Sequence, residues 1–153
     1  DSEYKFGIDA KEHFTKKLSK LTFPVEFLKR WVLATNPNMT EETVEKDFNL
    51  MLEDLKWYLF KNKVVKANDI KVEREDINLF ARRMAKIQFA QYGMTSVPDD
   101  ILDNYAKEML SKKDTVQNMA EKALEDKVFA VIRNSVKVVD TDITVEDFNK
   151  LFE

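Results

Sequence analysis

Three observations predict an all-α fold for this chain. Glycine occurs twice and proline three times in 153 residues, too little punctuation for the many turns of a sandwich or barrel. Apolar residues recur at three- and four-residue spacing along most of the sequence. Helix-end signals at Pro24, Thr40, Gly93, Pro98 and Thr144 fall between those runs. The expected architecture is several long antiparallel helices joined by very short extended connectors. Residues 1–20 read as an incoming linker and helix, and residues 21–153 as one helical domain.

From Asp1 to Lys20 the charges are mixed, and Phe6, Ile8, Phe14 and Leu18 form a loose pattern. This predicts an arm followed by a helix from about Asp9 to Ser19. Phe23 is pushed out of helical geometry by Pro24, which itself suits a first turn, where its missing N–H costs nothing. That helix is expected to reach about Thr35 and stop before Pro37. Thr40 is a good N-cap for the next helix, and Glu41 and Glu42 complement its positive end. On its wheel Val44, Phe48, Met51, Leu52, Leu55, Tyr58 and Leu59 share one face. Leu50, Trp57, Phe60 and Val64 make a second apolar face toward its C-terminal half, which a simple surface helix lacks.

Asn68-Asp69 interrupts the pattern, and Ile70-Lys71-Val72 reads as a short extended connector. A third long helix, Arg74–Gln91, gathers Ile77, Phe80, Ala81, Met84 and Ile87, with Gly93 as its left-handed cap. Pro98 opens a helix over Asp99–Ser111 that turns Ile101, Leu102, Tyr105 and Met109 inward. From Thr115 to Val136 the stripe is Val116, Ala120, Ala123, Leu124 and Val131. A second side, Phe129, Ile132 and Val136, appears in its later half. Thr144 and Asp147 form a capping-box pattern for a final helix whose buried side is expected to be Phe148, Leu151 and Phe152. No repeat of fixed period is visible.

Composition narrows the function. The net charge of −3 is interleaved along the chain, so no basic field for nucleic acid is present. No apolar run approaches the roughly 20 residues that span a bilayer. Cysteine is absent, which removes disulfides, thiol nucleophiles and Cys-based metal sites and permits the cytosol. His13 is the single histidine and has no second ligand at helical spacing. Two isolated glycines cannot build a phosphate-cradling loop. Carboxylate pairs such as Glu41-Glu42, Asp99-Asp100 and Glu125-Asp126 belong to helix starts and solvated faces. The sequence therefore predicts neither an enzyme nor a cofactor or metal site. Starting at Asp1 with no Met and no leader, it is expected to be a piece of a longer protein. What remains is apolar excess: six methionines and 17 aromatic residues (Phe 11, Tyr 4, Trp 2).

The stretch from Asn118 to Phe152 reads as an amphipathic helix, a Val-Lys-Val-Val link and a capped final helix ending in T-V-E-D-F-N-K-L-F. This succession resembles the C-terminus of bacterial trigger factor. Leu21-Thr22-Phe23-Pro24-Val25-Glu26-Phe27-Leu28 resembles the Pro-led start of that family's C-terminal helical region. Lys66–Val72 followed by Glu73–Ile77 resembles its helix–turn–helix junction. Together the likenesses span roughly Lys20 to Phe152. The resemblance implies an ATP-independent chaperone whose helical body and arms form a cradle for nascent or unfolded polypeptide in the cytoplasm. Neither glycine has the Gly-Phe-Arg context of the ribosome-docking loop, so ribosome contact is expected only through a domain missing here. Nor can this chain supply the β-rich prolyl-isomerase domain. Periplasmic SurA-type chaperones look similar in their helical core and stand as an alternative.

Under that reading the candidate client contacts are Met39, Leu50, Trp57, Phe60, Phe89, Met94, Phe129 and Ile132, which lie off the main stripes or in connectors. Met-rich surfaces adapt to many partners, although Met51, Met84, Met109 and Met119 read first as fillers of core gaps. The rival reading is a helical adaptor that binds one specific folded partner through the same faces, and a homodimer is also left open.

Overall fold

The computed structural model describes residues 2–151. Among them seven α-helices and no strand follow in order: α1 Ser2–Lys17, α2 Val25–Thr35, α3 Glu41–Ala67, α4 Arg74–Gln91, α5 Asp99–Met109, α6 Lys113–Ser135 and α7 Val145–Lys150. The all-α class and most helix limits agree with the sequence. Local chemistry explains why. Thr40 accepts a hydrogen bond from the Thr43 amide at 3.2 Å and caps α3. Gly93 takes φ +80°, and the amides of Gly93 and Met94 donate to the carbonyls of Ala90 and Phe89, a Schellman ending for α4. Thr144 accepts from the Asp147 amide at 3.1 Å as α7 begins.

The first helix departs from expectation. It starts at Ser2, not near Asp9, and runs through Gly7. The mixed charge and loose apolar pattern of residues 1–20 predict a linker there, and glycine in a helix interior costs a further roughly 1 kcal/mol relative to Ala. The reason for its tolerance is tertiary. A Cβ on Gly7 would lie 3.2 Å from the Phe129 ring, so a residue without a side chain lets α1 lie directly on α6.

Two cores are built on α6. In the first, Ala10 of α1, Trp57 of α3 and Val128 and Ile132 of α6 are buried, and Phe6, Phe14, Phe60, Val64, Val65, Ile70 and Phe129 pack around them. In the second, Ala81 of α4, Ala106 of α5 and Met119 of α6 are buried among Ile77, Phe80, Met109 and Leu110. Alanine at 81 has no exposed surface, and its small size lets the neighbouring helices come close to α4. Met119 thus fills a core gap.

The two faces of α3 serve different neighbours. Along its first half Val44 and Phe48 are buried, and α2 packs there, with Lys29 paired to Glu45 and set over the Phe48 ring at 5.2 Å. Along its second half α1 and α6 cover the other face. Trp57 is therefore buried, while Tyr58 and Leu59, expected on the main stripe, are exposed. Ile87 and Ile101 are likewise exposed although the wheel turned them inward. Val128, wholly buried, lies on neither side expected of α6. No residue of α2 is buried, and α2 packs chiefly on α3, so α2 and the start of α3 make a helical pair, the α2 arm. The expected buried side of α7 does not form: Leu151 is exposed and Phe148 half-buried, while Phe152 lies outside the described residues.

Candidate binding groove

A groove of about 910 Å³ runs along α6, walled by α1 and α4. Helical spacing places its lining. Tyr4 and Ile8, one turn apart, face it from α1, with Gly7 between them leaving room. Phe80, Met84 and Ile87 face it from α4, and Phe129 and Ala130 supply the apolar floor. Tyr4, Ile8, Ile87 and Ala130 are exposed to solvent, so this concavity displays apolar surface.

Charge brackets the floor. Arg133 pairs with Glu3, Arg83 with Asp126, and Lys122 with Glu125 at 3.2 Å. The guanidinium of Arg83 lies over the Phe80 ring at 4.9 Å, and that of Arg133 over Phe6 at 5.3 Å. Exposed ion pairs contribute at most about 1 kcal/mol each to folding. Their larger effect is to keep the empty groove wetted at its edges.

Glu125 ties groove to core. Its carboxylate accepts from the Trp57 indole N–H at 3.0 Å. Burial pushes this carboxyl up, but the indole hydrogen bond together with Lys122 and Lys61 outweighs burial and holds it below its ordinary range. Asp76 at the start of α4 is also held low, by hydrogen bonds from Lys127 and from the Glu73 amide.

The eight residues singled out from the sequence do not converge. Phe129 lies in the groove. Trp57 and Ile132, each 4% exposed, are core, and Phe60 packs against them with its ring stacked on Phe14 at 4.4 Å. An open face at Trp57 and Ile132 is thus not present, because α1 and α6 close over it. Phe89 is half-buried against the Tyr105 ring at 5.2 Å, and Met39 is half-buried between α2 and α3. Only Leu50, 68% exposed on the arm, and Met94, past the end of α4, are freely accessible, and neither reaches the groove.

Sequence reasoning missed Tyr4, Ile8, Met84 and Ile87 as one surface, and missed Phe27 and Trp31 of α2. The latter two stand one turn apart, and Trp31 is 54% exposed. Their i, i+4 spacing was a visible signal; the open side to which it belonged was not. His13 packs edge-on to Phe14 at 5.2 Å. Among the described residues no group of three or more His, Cys, Asp and Glu is placed to hold a metal ion, and no helix is long and apolar enough to cross a membrane. The arrangement can cover apolar surface.

The family described as probable trigger factor, C-terminal domain, has a model that matches residues 2–152. No curated protein and no solved structure matches the chain.

Proposed function

The chain belongs to the trigger factor C-terminal domain family, the non-catalytic chaperone portion of that protein, and from this premise we propose that it shields apolar segments of nascent or unfolded polypeptides without ATP. The observation that carries the reading is the open groove between α1, α4 and α6, whose apolar floor and walls lie within a charged rim. The outward face of the arm at Phe27 and Trp31 provides a second contact area.

A client that removes about 300 Å² of apolar surface from water gains roughly 7 kcal/mol before association and ordering costs are subtracted. The net affinity of one contact is therefore weak. Groove and arm acting together lengthen residence by raising effective concentration, yet each contact releases readily and leaves the client free to fold. In keeping with its family the chain works in the cytoplasm, and ribosome contact is carried by a part of trigger factor outside residues 1–153.

The test is suppression of aggregation of several unrelated denatured proteins at near-stoichiometric amounts. The wild-type chain should suppress all of them, and Ile8→Asp combined with Ile87→Asp should lose most of that effect at a temperature where circular dichroism shows the variant still folded. An adaptor for one folded partner would suppress none. That result would sink the proposal.

A further inference from the structure

One side chain of α6 holds the connector between α3 and α4. Lys127 stands one residue before Val128 of the first core and about two turns beyond Met119 of the second. Its ammonium donates to the carbonyl of Lys71 in the connector at 2.8 Å and to the carboxylate of Asp76 in the first turn of α4. The same Asp76 oxygen accepts from the Glu73 amide at 2.7 Å, within the capping box that starts α4. The side chains of Lys127 and Asp76 are 37% and 23% exposed, so this charge-assisted pair is partly shielded from water. The connector also holds Asp69 at φ +47°, a left-handed conformation that persists in a non-glycine residue where its surroundings impose it.

The tie is placed to govern a rotation. Asp76, Phe80, Met84 and Ile87 follow one another at helical spacing and so share one face of α4. The last three form a wall of the groove. On α6, Lys127 lies one turn before Ala130 of the floor, yet it is not part of the lining. Apolar packing specifies the rotation of α4 less sharply than large interlocking side chains would. The buried residues of α4 are Ala81 and Ala85, and small side chains let helices approach closely while offering low ridges. Nor does α3 pack substantially on α4. Farther along, Arg83 pairs with Asp126, but these side chains are 54% and 44% exposed, where an ion pair contributes little.

We infer that Lys127 is a positioning residue for the groove. By pinning Asp76 and the connector against α6, it sets the rotation of α4 that turns Phe80, Met84 and Ile87 toward the floor. Its bearing on clients rests on the reading of the groove as the client site.

The chain has no cysteine, so Ile8→Cys and Ile87→Cys, both at exposed positions, can carry one spin label on each wall. Double electron–electron resonance then reads the distance between the walls in the whole chain. Lys127→Met keeps the aliphatic stem and removes the charge, while Asp76→Asn keeps an acceptor for the Glu73 amide. Each should shift and broaden the distance distribution. Each should also speed hydrogen exchange of the Glu73 and Ile77 amides roughly ten-fold, while amides of α1 and α3 keep their protection. Lys127→Arg, still able to donate to both acceptors, should restore distance and exchange. An unchanged distance distribution, or exchange that rises equally along α1 and α3, would overturn the inference, because Lys127 would then add only to overall stability. Suppression of aggregation by the unlabelled variants should fall as the wall is displaced. A displaced wall with suppression intact would refute the groove as the client site and leave the positioning of α4 by Lys127 standing.

Discussion

Trp57→Ala is the substitution that most directly probes the first core. The indole is 4% exposed, stacks on Phe60 and Phe129 with ring centroids 5.6 and 5.5 Å away, and donates to Glu125. Truncating a buried Trp to Ala removes its transfer free energy and leaves a cavity, together about 3–5 kcal/mol. Against a domain stability of roughly 5–15 kcal/mol that is about a fifth of the total or more. Trp57→Phe separates the two contributions. It keeps an aromatic ring in the stack but removes the N–H, and Glu125 retains Lys122, so about 1 kcal/mol is expected. Urea unfolding followed by far-ultraviolet circular dichroism reads both values. A loss below about 1 kcal/mol for the alanine variant, with unchanged m-value, would refute the placement of this side chain in the core. Trp57→Glu should be worse still, because it would leave a charge buried.

Three further outcomes follow from the same geometry. Gly7→Leu must push the Phe129 ring aside, since even a Cβ would meet it at 3.2 Å; a loss of about 1–3 kcal/mol is expected in denaturant unfolding. Glu125 and Asp76 have carboxyls held below their ordinary values of 4.5 and 3.8, so the unfolded chain takes up their protons first as pH drops. Their contribution is complete above those ordinary values and fades as pH falls through the lower folded ones; urea midpoints at pH 7, 4 and 3 should decline in that order, less steeply in Glu125→Gln. Trp31→Glu on the exposed face of the arm should shift stability by no more than about 0.5 kcal/mol, yet weaken aggregation suppression measurably. Unchanged suppression would remove the arm from the client surface.

Features governed by a few neighbouring residues were legible in the sequence. Thr40 and Thr144 cap because a hydroxyl sits three residues before an otherwise unpaired amide, and Gly93 ends α4 because it tolerates positive φ. The apolar runs marked which segments were helical. What could not be read was which side of a two-faced helix is covered. Trp57 and Tyr58 are adjacent, and their opposite fates depend on where α1 and α6 lie, which is set far away in the chain. The same holds for Gly7, a weak helix residue by propensity and a necessary one once Phe129 crosses it. The groove itself has no single sequence signature, because its lining comes from three segments separated by more than 30 residues each.

Each wall of the groove is anchored to α6 through its own core, and no substantial packing joins α1 to α4. The spacing between the walls is consequently set by two independent packings on α6 and not by contact between the walls themselves. A change that loosens one wall would uncover its own cluster and leave the one beneath the other wall covered. Damage to one side of the trough is thereby confined to that side, whereas a single shared interior would transmit it to both.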